Sequence, residues 1–585
     1  MTVDVADLII HNARVTTLND AQPNATALAV RDGRFVAVGS DAFALRLRGP
    51  HTRVVDAAGR RAIPGLIDSH THVIRGGLNY NLELRWEGVP SVATALRLLK
   101  EQVARTPAPQ WVRVIGGFSQ FQFAEKRLPT LEELNAVSDE TPIFVLHLYD
   151  RALLNRAALR ALGYTKDTPD FPGGRIERDR HGNPTGLLLA KPNATVLYAS
   201  LAKGPLLSPD DQRVSTLQFM RELNRLGLTS VVDAGGGFQN YPEDYAVIKD
   251  LAAKQQLSLR IAYNLFTQRP KQELDDFRRW AKLVKPGDGD AMFRFNGAGE
   301  MLVFSAADFE DFIEPRPELP ATLENELQGV VEHLVANQWP FRIHATYDES
   351  ISRFLDVFER VDRAVPLSKT RWWFDHAETL SKRNLDRIAR LGGGVAIQHR
   401  MAFQGEYFLA RYGRDAARHA PPLTALRQSG IPVGGGTDAT RVASYNPWLG
   451  LYWLVSGKTV GGTEMYGAED CLSREQALRL YTCQNAWFSG EDGEKGKIEI
   501  GQLADFALLD QDYFEVAEES IKSIAADLTV LGGKVVWAAA AFRELAPPPL
   551  PVSPSWSPTA LSALRGAGAN LSAQALLQRM CGCSF

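Results

Sequence analysis

The chain has 585 residues, room for two to about four domains at roughly 150 residues each, and its 45% hydrophobic and 23% charged residues exclude wholesale disorder. With 65 Lys and Arg against 68 Asp and Glu the net charge is −3, which argues against the broad basic face that nucleic acid requires. No apolar run approaches the roughly 18 residues of a membrane span, the start MTVDVADLIIHNARV has no secretory pattern, and four cysteines make no disulfide framework; the expectation is a cytoplasmic globular protein with neither nucleic acid nor membrane as partner.

Residues 6–55 read as short alternating strands, ADLIIHNARVTTL and then ALAVRDGRFVAVG with a turn around Asp32-Gly33. Near the other end GQLADFALLD and LTVLGGKVVWAAA read the same way. The simplest assembly is one β-sandwich built from residues 1–61 and 491–545, with residues 62–490 as a separate unit between them. Inside that unit apolar strands alternate with amphipathic helices, the pattern of parallel α/β structure. Eight strands follow in order: PGLIDSHTH, TSVVDAGGG, SLRIAYNLF, AMFRFNGAGE, PFRIHAT, RWWFDHAE, GVAIQH and PVGGGTDA. Eight is the number a TIM-like (β/α)8 barrel needs, and such barrels carry their reactive groups at the C-terminal ends of the strands. Residues 80–205 are too many for one crossover and predict a large insertion after the first barrel strand that caps the strand-end face. Residues 546–585 open with PPPLPVSPSWSP and form a Pro-rich tail, extended at first and then a short helix over SALRGAGANLSAQALLQRM, with Cys581 and Cys583 as a C-x-C beyond it.

Histidine placement carries the chemistry. His70 and His72 are two residues apart at the end of the first strand, so period-2 geometry points both imidazoles to one side and lets one strand offer two nitrogen ligands. His344 ends FRIH, His376 ends WWFDH and Asp438 ends GGGTD, so five metal-type side chains on strands one, five, six and eight converge on one barrel mouth. A divalent metal, zinc by its nitrogen-rich donors, is the cofactor this predicts. Asp438 is also the candidate general base and acid, placed to take a proton from an attacking water and return it to the leaving group. The glycine runs 235–237, 392–394 and 434–436 lack the spacing of a dinucleotide fingerprint.

Taken together, PGLIDSHTH, NPTG, FRIHA, DHAE, GGGTDA followed by YNPW, and IEIGQLADFALLD resemble the amidohydrolase superfamily, specifically its YtcJ-like branch. The resemblance spans nearly the whole chain apart from the tail. It implies a distorted barrel with a composite β-sandwich, one or two divalent metals held by His70, His72, His344, His376 and Asp438, and hydrolysis of a non-peptide C–N bond of amide, N-formyl or carbamate type. Binuclear relatives often have a carboxylated lysine on the fourth strand, whereas this chain has Arg294 near that place, and a guanidinium cannot form the carbamate. Lys191, in PTGLLLAKPNA, is the candidate replacement as a carboxylated metal bridge.

Candidate substrate-binding residues are Trp86, Phe121 and His147 in the insertion and Glu300, His399 and Arg441 at the strand ends; Glu300 is also a carboxylate option for the metal. A small-molecule substrate is the expected partner, and a homodimer the default assembly. The alternatives are a one-metal hydrolytic deaminase and a non-catalytic scaffold relative, the second disfavoured by the complete set of five ligands.

Overall fold

The eight apolar runs become eight parallel strands: Leu66–Thr71, Leu228–Asp233, Arg260–Leu265, Phe293–Ala298, Phe341–Ala345, Trp372–His376, Gly394–Gln398 and Val433–Gly436. They lie side by side in chain order in a single sheet. The computed structural model describes residues 5–191, 194–309, 311–313, 316–551 and 553–560, and the predicted tail helix and the Cys581 and Cys583 pair beyond it lie outside them. Both faces of these strands are covered, by helices outside and by side chains inside, which is why they read as continuous apolar runs. One of the outer helices is Lys382–Leu391, which starts where the Ser381 hydroxyl accepts the Asn384 N–H and stops at Gly392 in the left-handed region (φ 73°). Its Leu385, Ile388 and Leu391, spaced by one turn, face the barrel.

The ring closes between the eighth strand and the first. The N–H groups of Thr437 and Asp438 donate to the His70 carbonyl at 3.1 and 2.8 Å, and buried Asp68 accepts the Thr437 hydroxyl at 2.6 Å and the His70 N–H at 2.9 Å. Glycines 434–436 serve this seam and not a nucleotide: a Cβ at Gly436 would lie 2.7 Å from the His70 nitrogen, and one at Gly435 would lie 2.7 Å from the Tyr481 ring.

Inside the barrel Arg342 is fully buried and grips Asp375 through two hydrogen bonds of 2.5 and 2.7 Å, with a third to the Ser69 carbonyl at 3.1 Å. Asp375 in turn faces His70 Nδ1 at 3.1 Å, so this pair fixes the ring orientation of a strand-end histidine. Replacing Arg342 by Met leaves a buried carboxylate without its cation, and the expected loss is about 3–5 kcal/mol of unfolding free energy, to be read from denaturant midpoints.

Arg14–Thr16, Asn24–Ala25 and Arg61–Pro64 share one six-stranded sheet with Phe506–Leu509, Ala526–Leu531 and Lys534–Ala538 from the other end of the chain. A four-stranded sheet of N-terminal strands meets it around Leu8, Ile10, Phe506 and Leu508. Between the first two barrel strands, Glu83–Leu84 through Pro184–Ala190 form a further six-stranded sheet with apolar clusters of its own. The Pro-rich segment lies against helix Pro209–Arg225 and the insertion: Gln218 and Arg221 donate to the carbonyls of Pro551 and Pro548, and Gln102 to that of Trp556, at 2.6 to 2.8 Å. Among the described residues no helix is long and apolar enough to cross a membrane.

Candidate metal centre

Five of the predicted ligands meet at one end of the barrel, and Glu300 stands among them. His70 is the penultimate residue of the first strand and His72 follows that strand; His344 is the penultimate residue of the fifth strand and His376 ends the sixth, Asp438 comes two residues after the eighth and Glu300 two residues after the fourth. All six side chains are buried. Glu300 Oε2 lies 3.6 Å from His70 Nε2, 3.4 Å from His344 Nδ1 and 3.5 Å from His376 Nε2, while its Oε1 lies 3.6 Å from His72 Nε2. Asp438 Oδ1 is 3.5 Å from His70 Nε2 and 3.2 Å from His72 Nε2.

Most of these distances are long for hydrogen bonds. They suit donors of one metal shell, since two atoms each about 2.1 Å from a tetrahedral ion are about 3.4 Å apart. His70 Nε2 and both ring nitrogens of His376 are buried without a hydrogen-bond partner among the described residues, a costly arrangement unless a cation takes the lone pair of each ring. Three overlapping groups, His70–His376–Asp438, His70–His72–Glu300 and Glu300–His344–His376, each gather donor atoms within 4.8 Å of one another. The residues therefore fit a divalent cation, and the shared position of Glu300 fits a carboxylate that serves more than one of these groups.

Outer partners aim the rings. His72 Nδ1 hydrogen-bonds the Gly235 carbonyl, which turns Nε2 into the cluster. His344 does the reverse: Nε2 faces the Thr346 hydroxyl at 3.3 Å and Asp308 Oδ1 at 3.6 Å, leaving Nδ1 to Glu300. Asp308 is anchored by the N–H groups of Thr346 and Tyr347 at 2.9 and 3.1 Å. His376 and Asp438 adopt left-handed backbone, φ 77° and 55°, which is uncommon for side-chain-bearing residues and turns both into the mouth.

Burial alone would raise the Asp438 carboxyl, but the His72 hydrogen bond and the charges of His70 and His376 outweigh it and hold the group below the ordinary carboxylate range. Glu300 is likewise held well below that range, against burial, by His70 and by its contacts with His344 and His376. Burial opposes the charge on His344, yet the Glu300 and Asp308 carboxylates push it up to about 9. His70 and His376 go the other way, lowered chiefly by burial.

The remaining candidates lie outside this cluster of six. Lys191 is exposed at the end of strand Pro184–Ala190 in the insertion, whereas Glu300, the other carboxylate option for the metal, is buried among the four histidines. Arg294 points away from the mouth, to the Ser489 carbonyl and Glu491. Trp86 is fully buried against Phe118 and Phe123 in the insertion's own core, with ring centroids 5.0 and 6.0 Å away, because a six-stranded sheet needs an apolar interior of its own. His147 is buried there too, its Nδ1 paired with Asp150 at 2.7 Å. Phe121 packs on Tyr407 with centroids 5.1 Å apart. His399 is held by the Ser444 carbonyl at 3.0 Å, and burial pushes it down to about 4, so it stays neutral. Arg441 is stacked with its guanidinium 4.6 Å over the Tyr198 ring. The sequence reading missed Asp308, which sits in irregular chain with no spacing signal, and the Arg342–Asp375 pair, whose only trace is the Asp before His376.

The amidohydrolase family model matches residues 53–537. The chain is 26% identical over 550 residues to the N-substituted formamide deformylase of Arthrobacter pascens, covering 90% of this chain and 97% of that one. It is 25% identical over 545 residues to the protein YtcJ of Bacillus subtilis (strain 168), covering 90% and 99%. Among solved structures, an uncharacterized metal-dependent hydrolase from Pyrococcus furiosus superposes with a TM-score of 0.62 at 20% identity, over 87% of this chain and all of that one. With a model match over most of its length and an eight-stranded barrel whose strand ends gather metal-type donors, the chain belongs to the amidohydrolase family, metal-dependent hydrolases of carbon–nitrogen bonds.

Proposed function

We propose that the protein hydrolyses a non-peptide amide, N-formyl or carbamate-type bond of a small molecule, using zinc held by His70, His72, His344, His376 and Asp438 with Glu300 as the shared carboxylate. The observation that carries this reading is the convergence of four imidazoles on Glu300 at 3.4–3.6 Å. The nitrogen-rich donor set suits zinc, and the similarity to a formamide deformylase along nearly the full length of both chains favours a formyl or other small acyl group. A bound ion of this kind polarises the scissile carbonyl and lowers the pKa of a water towards about 7.

The chain's own residues do the rest. Asp438 is ionised, and its Oδ2 is buried without a hydrogen-bond partner and 3.9 Å from Arg400 Nε. That oxygen accepts the proton of the attacking water and delivers it to the leaving nitrogen, which departs as the neutral amine. Asp375, clamped by Arg342, and Asp308 keep the His70 and His344 rings aimed while charge moves.

Metal analysis combined with a panel of N-formyl and N-acyl amines tests the reading. The purified protein is expected to hold zinc, to release amine from at least one member of the panel, to lose that activity on dialysis against a chelator and to regain it with added zinc. A protein that holds no metal and cannot be loaded overturns it.

A further inference from the structure

After strand Lys534–Ala538 the chain leaves the β-sandwich, runs along the barrel helix Pro209–Arg225 and reaches the insertion helix Val92–Val103. Side chains of both bodies take hold of its backbone on the way. On the barrel side Arg221 donates to the Pro548 carbonyl at 2.8 Å and Gln218 to that of Pro551 at 2.6 Å, while Asp211 of the same helix accepts the Ser553 hydroxyl. On the insertion side Gln102 donates to the Trp556 carbonyl at 2.8 Å, and Arg105, just past the helix, to that of Ser555 at 2.9 Å. Between the two stands Asn81, fully buried, with both ends of its amide engaged: Nδ2 donates to the Ser553 carbonyl at 2.6 Å and Oδ1 accepts the Thr559 hydroxyl at 3.2 Å.

This is recognition of a backbone. Residues 547, 548, 549, 551, 554 and 558 are proline; each has a fixed φ and no N–H, so the segment is pre-set for an extended course and presents mainly carbonyls. The receiving surface is the complement, since Arg221, Gln218, Asn81, Arg105 and Gln102 all supply N–H donors to it. Ser557 is buried and Trp556 half-buried, so the far end is seated in the protein. The two helices bridged in this way belong to different cores: Phe219, Met220 and Leu223 pack in the barrel, Leu98 and Leu99 in the insertion. How firmly the insertion is held bears on the metal centre, because its Arg85 donates to the Thr440 carbonyl at 3.0 Å, two residues after Asp438.

We propose that Gln218, Arg221, Asn81, Gln102 and Arg105 form a docking surface for proline-rich extended chain, filled in cis by residues 547–560, and that the docked segment is a clamp tying the insertion to the barrel. A clamp fails when either end is released, which distinguishes it from two independent sets of contacts.

Hydrogen exchange of the full-length, metal-loaded protein tests this at the amides of Val92–Val103. Gln218→Ala/Arg221→Ala frees the segment from the barrel alone, yet that distant helix is expected to exchange at least about fivefold faster, the scale of two lost hydrogen bonds. Gln102→Ala/Arg105→Ala is expected to give a similar acceleration, and the four substitutions together are expected to stay within about twofold of the larger effect. Pro548→Gly/Pro549→Gly leaves both helices and every donor in place and adds freedom only to the segment; it is expected to loosen the same helix. Arg213→Ala, on the barrel helix but paired with Asp250, is expected to leave it unchanged. Wild-type exchange of Val92–Val103 in the barrel-end variant or in the glycine variant overturns the clamp. So do end effects that multiply on combination, or an equal acceleration by Arg213→Ala.

Discussion

Asp438→Asn is expected to lower kcat by about 10³-fold or more, in the upper part of the range for losing a positioned acid–base group, while the purified variant keeps its metal. The two halves of that expectation come from the two oxygens. Oδ1 faces the cluster, 3.5 Å from His70 and 3.2 Å from His72, and an Asn carbonyl of the same shape still offers a donor there, with Glu300 and the four histidines in place. Oδ2 is the unpartnered oxygen, and in Asn it becomes an amide nitrogen that carries protons already and accepts none. Single-turnover rates alongside zinc analysis separate the two. Turnover equal to that of the wild type removes Asp438 as the base, and loss of metal together with rate recasts it as a ligand alone.

The barrel and four of its site histidines were legible because strands buried on both faces leave unbroken apolar runs, and each such run here stops abruptly at a polar residue, FRIH and WWFDH being the plainest. Which carboxylate completes the cluster was not legible. Glu300 lies two residues beyond Phe293–Ala298, in chain whose direction is set by Ala234 and Leu265, whose carbonyls accept the N–H groups of Glu300 and Gly299. No periodicity encodes that. Lys191 competed with it on residue type alone, and its exposure follows from the pairing of Pro184–Ala190 with strands on both sides inside the insertion. Composition likewise did not distinguish an aromatic of the insertion's core, such as Trp86, from one that lines a site.

Glu300→Gln and Lys191→Ala therefore have opposite expected outcomes. Glu300 offers one oxygen to His72 and the other to His70, His344 and His376; it is the group from which all four imidazoles are within 3.6 Å. Gln preserves the volume but removes the charge and one acceptor, leaving four histidines and Asp438 to neutralise a divalent ion. Removing an outer partner of a ligand already costs about 10- to 100-fold in metal affinity, so loss of this central carboxylate is expected to cost at least that much, read by competition with a chromogenic chelator, and to take activity with it even when metal is resupplied near saturation. Lys191→Ala, at an exposed end of the insertion sheet, is expected to leave both affinity and rate unchanged. The reverse pattern, with Glu300→Gln retaining wild-type zinc and Lys191→Ala losing it, would return the shared position to the lysine and require the insertion to swing its strand end over the mouth when metal binds.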